Sequence, residues 1–96
     1  MDASAIKVAQ AGTVESMDCR VTIAESDCPM IIEISGISAA RFKAAMQAKV
    51  ADVLESLGAS QDACLKVDVQ DNGAIDVVLG ARVEAAYLRF IGVYES

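Results

Sequence analysis

The 96-residue chain has no histidine, and that one absence removes a large part of enzyme chemistry. Histidine is the commonest general base near neutral pH and the commonest metal ligand. Without it, a Ser-His-Asp or Cys-His site cannot be assembled within this chain. No glycine-rich loop follows a strand and opens a helix, so the phosphate-cradling motifs are missing as well. The apolar runs are short, which leaves no membrane span. The opening stretch MDASAIKVAQ has neither a basic leader nor a continuous apolar segment, so no secretory signal is expected and a cytoplasmic protein is. Basic residues are scarce, eight Lys and Arg against fourteen Asp and Glu for a net charge of -6. A polyphosphate partner needs clustered cations; these are scattered, so nucleic acid is excluded.

Three cysteines, Cys19, Cys28 and Cys64, make an odd number without CxxC spacing. They read as reduced thiols of a cytosolic protein, two of them packed at least partly inside. The fourteen carboxylates are spread along the chain in the manner of a solvated surface. No catalytic residue and no metal-ligand set is expected from this composition. An acidic surface suits solubility and docking to basic patches on other proteins.

What is present is a well-patterned core. Hydrophobic residues make up 54% of the chain, as in a folded globular protein, and 96 residues are enough for one modest domain and too few for two. In CRVTIAE (19–25), Val21 and Ile23 alternate with Arg20 and Thr22; in MIIEIS (30–35), Met30, Ile32 and Ile34 face inward. The intervening SDCP, with Pro29, predicts a β-hairpin between the two runs. The preceding AGTVES either adds an edge strand or stays loose. From Ser38 the period lengthens: Phe42, Met46, Val50, Val53, Leu54 and Leu57 share one face of a helix. Arg41, Lys43, Gln47, Asp52 and Glu55 take the other face, with Ser38 as N-cap and Gly58 as terminator.

Period two returns in CLKVDVQ (64–70), and Asp71-Asn72-Gly73 is a strong turn signal. The run AIDVVL, with Ile75, Val77 and Leu79 inward, predicts a second hairpin. A shorter helix over 80–91, burying Val83, Ala86, Tyr87 and Phe90, closes at Gly92. The expectation is a single α+β domain over 1–96, with residues 1–10 a candidate flexible segment. Its order is ββαββα, a four-stranded, largely antiparallel sheet with two helices packed on one face.

A small, acidic chain with no chemistry of its own suits a carrier of a covalently attached group. Two triplets come near a carrier's Asp-Ser-Leu pattern: Glu15-Ser16-Met17 and Glu55-Ser56-Leu57. Ser56 falls at the C-terminal end of the long helix, where the negative dipole end disfavours a phosphodiester, and it reads as a helix surface residue. Ser16 lies in a polar stretch between Glu15 and Met17, with Asp18 beyond. Its hydroxyl reads either as a point of attachment or as part of an ordinary polar turn.

The stretch Ala11-Gly12-Thr13-Val14-Glu15-Ser16, followed by Asp18, Val21 and Ile23, resembles the N-terminal signature of the acyl carrier (γ) subunit of citrate lyase, approximately AGTLES, then D and a V-x-I strand. Val67, Asp68, Asp71, Gly73-Ala74, Ile75-Asp76, then Leu79 and Ala81-Arg82-Val83-Glu84-Ala85 resemble that family's VxDxGALD and LxARLEA run. The resemblance covers the chain from Ala11 to about Gly92. It implies that Ser16 bears 2′-(5″-phosphoribosyl)-3′-dephospho-CoA through a phosphodiester, with an acyl thioester on the terminal thiol. It further implies partner α and β subunits, the first exchanging acetyl for citrate and the second releasing oxaloacetate. A prosthetic-group transferase and an acetate:thiol ligase would prepare the arm. Gly12 would let the attachment loop bend, and Thr13, Glu15 and Asp18 would lie within the recognition zone around the site. Citramalate lyase uses a similar subunit. Malonate decarboxylase carriers share the group, with an attachment motif nearer glycine-serine-glycine. A small interaction module that is never modified is the alternative from another class.

Overall fold

The computed structural model describes residues 7–93. Its four-stranded sheet is built from β1 (Val8–Gly12), β2 (Asp18–Glu25), β3 (Ile31–Gly36) and β4 (Leu65–Asn72), and its helices are α1 (Ala39–Ser56) and α2 (Asp76–Phe90). The spatial order is β1-β2-β4-β3. β2 pairs antiparallel with both β1 and β4, and β3 pairs parallel with β4, so the sheet is mixed.

The alternation in the sequence explains the sheet's two faces. Cys19, Val21 and Ile23 on β2 and Val67 and Val69 on β4 have no solvent exposure. They point to the side on which α1 packs against β3 and α2 against β1 and β2. Arg20, Thr22, Lys66 and Asp68 project to the other, helix-free side, where Lys66 meets Glu33 at 3.5 Å. Val50 and Leu54 from α1 and Leu79 and Val83 from α2 complete one core. Each such side chain contributes about 1.5–3 kcal/mol by leaving water.

The expected α+β domain with four strands and two helices on one face is present, but its strands are assigned differently. Residues 19–25 and 30–35 do not pair with each other, because β4 lies between them. Alternation marks a strand without naming its neighbour. Placing the apolar β4 centrally buries Leu65, Val67 and Val69 with strands on both sides. Residues 26–30 bridge the end of β4, where the Ser26 N–H donates to Cys64 O at 3.0 Å and the Met30 N–H donates to Gln61 O at 3.1 Å.

The second hairpin is replaced by helix. Ile75 is the N-cap of α2, and the β-like positions Ile75 and Val77 are exposed while Leu79, Val83, Ala86 and Phe90 are buried. The 79–83–86–90 spacing is helical, and it outweighs the local β-branched run. The fourth strand comes instead from the edge strand Val8–Gly12, which joins the last residues of the 1–10 segment expected to be flexible to the start of AGTVES, where an edge strand was one of the two expectations; residues 1–6 lie outside the described part. Two further expectations change. Phe42 is exposed, since α1 leaves helical geometry at this residue (φ -120°, ψ 17°). Cys28 and Cys64, both exposed, are paired as a disulfide, because the 26–30 and 61–64 segments are hydrogen-bonded together. Cys19 alone is a free, buried thiol.

α1 ends as expected: Gly58, at φ +100°, lets the Ala59 N–H reach back to Leu54 O at 2.9 Å. Ser56 is exposed on the last turn and donates its hydroxyl to Val53 O, in keeping with a helix surface residue. No described helix is long and apolar enough to cross a membrane.

Candidate functional site

Ser16 lies on the connection between β1 and β2, and residues 13–17 are all exposed. The connection is short and its geometry is set by side chains as much as by backbone. The Asp18 N–H donates to Glu15 O at 3.1 Å, closing a four-residue turn around Ser16 and Met17. Met17 takes φ +65°, an uncommon conformation for a side-chain-bearing residue. Thr13 Oγ1 accepts from the Glu15 N–H at 3.2 Å and donates to Asp18 Oδ2 at 2.7 Å.

Two anchors fix this turn to the rest of the fold. The first is β4: the Met17 N–H donates to Asn72 O at 2.7 Å, and Asn72 Nδ2 donates to Val14 O at 3.0 Å. The second is α2: Arg82 Nε donates to Asp18 Oδ1 at 2.9 Å and Nη2 to Oδ2 at 3.1 Å, a two-pronged ion pair. These bonds from Arg82, then those from Thr13 and from the Cys19 N–H, hold the Asp18 carboxyl well below the usual carboxylate range. The same pairing raises the Arg82 guanidinium.

Gly12 is required where β1 enters the turn. At φ +92°, a Cβ there would run into the Cys19 carbonyl and stand 3.0 Å from Arg82 Cδ. Behind the turn lies Asp71, 5% exposed. Its carboxylate accepts from the backbone N–H groups of Ser38 (3.3 Å), Gly73 (3.1 Å) and Ala74 (3.0 Å). Ser38 and Ala74 lead into α1 and α2, so one buried anion sits at the positive ends of both helices. Burial acts to raise the Asp71 pKa, but the N–H donors outweigh it and the net shift is downward. Cys19, beneath the turn, has its thiol pushed up to about 11 by burial and then by the charges of Asp18 and Asp71. It is no nucleophile at neutral pH.

Of the residues singled out in the sequence, Thr13, Glu15, Ser16 and Asp18 therefore meet in one turn, with Gly12 at its base. Arg82, Asn72 and Asp71 are the supporting residues that sequence reasoning did not place at the site. The two stretches quoted above, around 11–18 and 67–85, are brought into contact by these three. Their signals were the turn residues at 71–73 and the presence of Asp71 and Arg82 in the stretch that carries the resemblance, neither of which places them beside Ser16. Among the described residues, no group of three or more His, Cys, Asp or Glu is placed to hold a metal. The arrangement offers an exposed serine on a turn braced from both β4 and α2.

A family model described as "ACP: Malonate decarboxylase delta subunit (MdcD)" matches residues 6–90. The citrate lyase acyl carrier protein of Haemophilus influenzae is 43% identical over 83 residues, covering 86% of this chain and 83% of that protein. That of Klebsiella pneumoniae is 44% identical over 82 residues, covering 84% of this chain and 81% of the relative. Citrate lyase acyl carrier protein 2 of Salmonella typhimurium is 40% identical over 85 residues, covering 88% and 84%.

Proposed function

The chain belongs to the family of acyl carrier proteins that includes those of citrate lyase, and from that premise we propose that it is a non-catalytic carrier subunit modified on Ser16. The attached group would be 2′-(5″-phosphoribosyl)-3′-dephospho-CoA, joined through a phosphodiester. When bound, that group supplies a terminal thiol that carries acyl chains as thioesters. The lyase would convert citrate to acetate and oxaloacetate in the cytoplasm, with its α and β subunits providing the active sites. A separate transferase and an acetate:thiol ligase would load the arm.

The observation that carries this reading is an exposed serine on a turn held from both sides by Arg82 and Asn72. The residues present fit a phosphodiester. The Ser16 side is open to an incoming enzyme, and the adjacent Asp18 charge is already compensated by Arg82. The chain's own part is to present the hydroxyl in one place, to root the arm firmly and to add no competing nucleophile. Tethering raises the effective concentration of the carried group at more than one active site. Citrate is favoured over malonate by the names of the relatives at 40% to 44% identity and by Glu15-Ser16-Met17, which is not a glycine-serine-glycine motif.

The test is the intact mass of the chain purified from a native host growing on citrate. An adduct of the prosthetic group's mass on the wild type, absent from Ser16→Ala, is expected. An unmodified chain in cells with active lyase would refute the proposal.

A further inference from the structure

Exposed apolar side chains flank Ser16 and its polar neighbours Thr13 and Glu15. Val14 (45% exposed), Met17 (65%), Ile37 (70%), Ile75 (59%) and Val77 (75%) account for half of the ten large hydrophobic side chains exposed among the described residues. They come from three segments: the 13–17 turn, the β3–α1 junction and the start of α2. All three segments converge on Asp71–Ala74. Met17 and Val14 are bonded to Asn72, and the Ile37 N–H donates to Asp71 O at 3.3 Å. A methyl on Gly73 would lie 3.5 Å from Ile37 Cδ1 and 3.8 Å from Met17 Cα. Ile75 follows Gly73 by two residues and caps α2. Val14, Met17 and Ile37 gather about Asn72 and Gly73, and Ile75 and Val77 stand at the adjoining start of α2, an apolar collar of the kind that marks interaction surfaces.

The collar's position and charge identify its occupant. Given the carrier reading, on which this inference rests, the root of the arm sits inside the collar. An active site that receives that arm draws the Ser16 face of the carrier toward its own surface. The acidic side chains at the collar are Glu15 and Asp76, both exposed, whereas Asp18 is neutralised by Arg82. A mouth that admits citrate, a tricarboxylate, is cationic, which complements this acidic rim. We propose that the collar of Val14, Met17, Ile37, Ile75 and Val77 is the docking surface for the catalytic lyase subunits. The partner face is apolar at its centre and basic at its edge.

Ile37→Glu and Val77→Glu test this on the full-length, unmodified chain, titrated against the purified α and β subunits of the lyase. Both side chains are largely exposed, and an acid at position 77 lies in the first turn of α2, where the dipole favours it. Ile31→Glu, on the open sheet face and 43% exposed, is the control. Expected is binding by the wild type, a loss of about tenfold or more in affinity for each collar variant, and no change for Ile31→Glu. Wild-type affinity in both collar variants, or no binding by the unmodified wild type, overturns the proposal. So does a concentration-dependent dimer of this chain that Val77→Glu dissolves, since the collar then serves a second copy. The mass measurement on Ser16 is independent of these titrations. Collar-dependent binding without an adduct removes the carrier reading alone, and an adduct with collar-independent binding removes the docking surface alone.

Discussion

Arg82 grips both carboxylate oxygens of Asp18, at 2.9 and 3.1 Å, although the two residues lie 64 positions apart in the chain. The pair joins the helix layer to the turn that carries Ser16. Since Thr13 also donates to Asp18, one carboxylate organises the turn's entry and exit. Arg82→Ala is expected to leave the fold intact while accelerating amide hydrogen exchange at Met17 and Asp18. Prosthetic-group transfer to Ser16 should slow by about an order of magnitude, the usual consequence of a loosely positioned acceptor. An unchanged exchange pattern would show that Asn72 suffices to brace the turn.

Asp18 and Asp71 both have carboxyls shifted downward, which sets the acid side of the stability profile. Unfolded aspartate titrates near about 3.9. The stabilisation is therefore fully present above that pH and is lost as pH falls toward the depressed folded values. Thermal melts should show Tm flat near neutrality and falling below about pH 4. Asp18→Asn should make that fall shallower. A wild-type Tm independent of pH between 5 and 2, on the order of the measurement error, would contradict the assignment.

Asp71→Ala removes the acceptor for three backbone N–H groups at a site only 5% exposed. Leaving buried donors unpaired costs about 1–3 kcal/mol, so chemical denaturation should show a loss near the upper end of that range. Asp71→Asn keeps one oxygen and should lose less.

Gly12→Ala is expected to be more harmful than its single methyl suggests. The backbone at φ +92° disfavours any side chain, and the new Cβ meets the Cys19 carbonyl. A cost of about 1–3 kcal/mol should appear in denaturant melts. Ser16→Ala, at an exposed turn position, should stay within about 0.5 kcal/mol of wild type. The contrast separates a residue that shapes the turn from one that the turn displays.

The cysteines should divide by reactivity. Cys28 and Cys64 are exposed, so a mild reductant should open their bond and release two thiols that alkylate readily. Cys19, buried and with a pKa of about 11, should label only on unfolding. Its folded pKa is raised, so the stability it contributes is present below about pH 9 and declines as pH rises toward 11. Labelling kinetics followed by mass spectrometry would check the order. Rapid alkylation of Cys19 in the native state would contradict its burial.

Much of this protein was legible locally. Period-two runs at 19–25 and 64–70 became the central strands, the 3.6-residue spacing of Met46, Val50 and Leu54 became α1, and Gly58 stopped it. These features depend on which faces of a segment are apolar, a property each segment carries itself. Ser16 was also visible, through the residues immediately around it.

The sequence by itself determined β2, β3, β4, α1 and the later turns of α2, the absence of histidine and the serine worth testing. Only the tertiary structure decided that β4 separates β2 from β3, that 76–79 is helix, and that Arg82, Asp71 and Asn72 support the turn. Strand order and long-range pairing depend on competition among all apolar surfaces for one core. The 74–79 run satisfies a strand pattern in isolation, yet burying Leu79 beside Val83 and Phe90 removes more apolar surface from water. An ion pair spanning 64 residues leaves no local trace at either end, because its energy exists only once the chain has brought the two charges together.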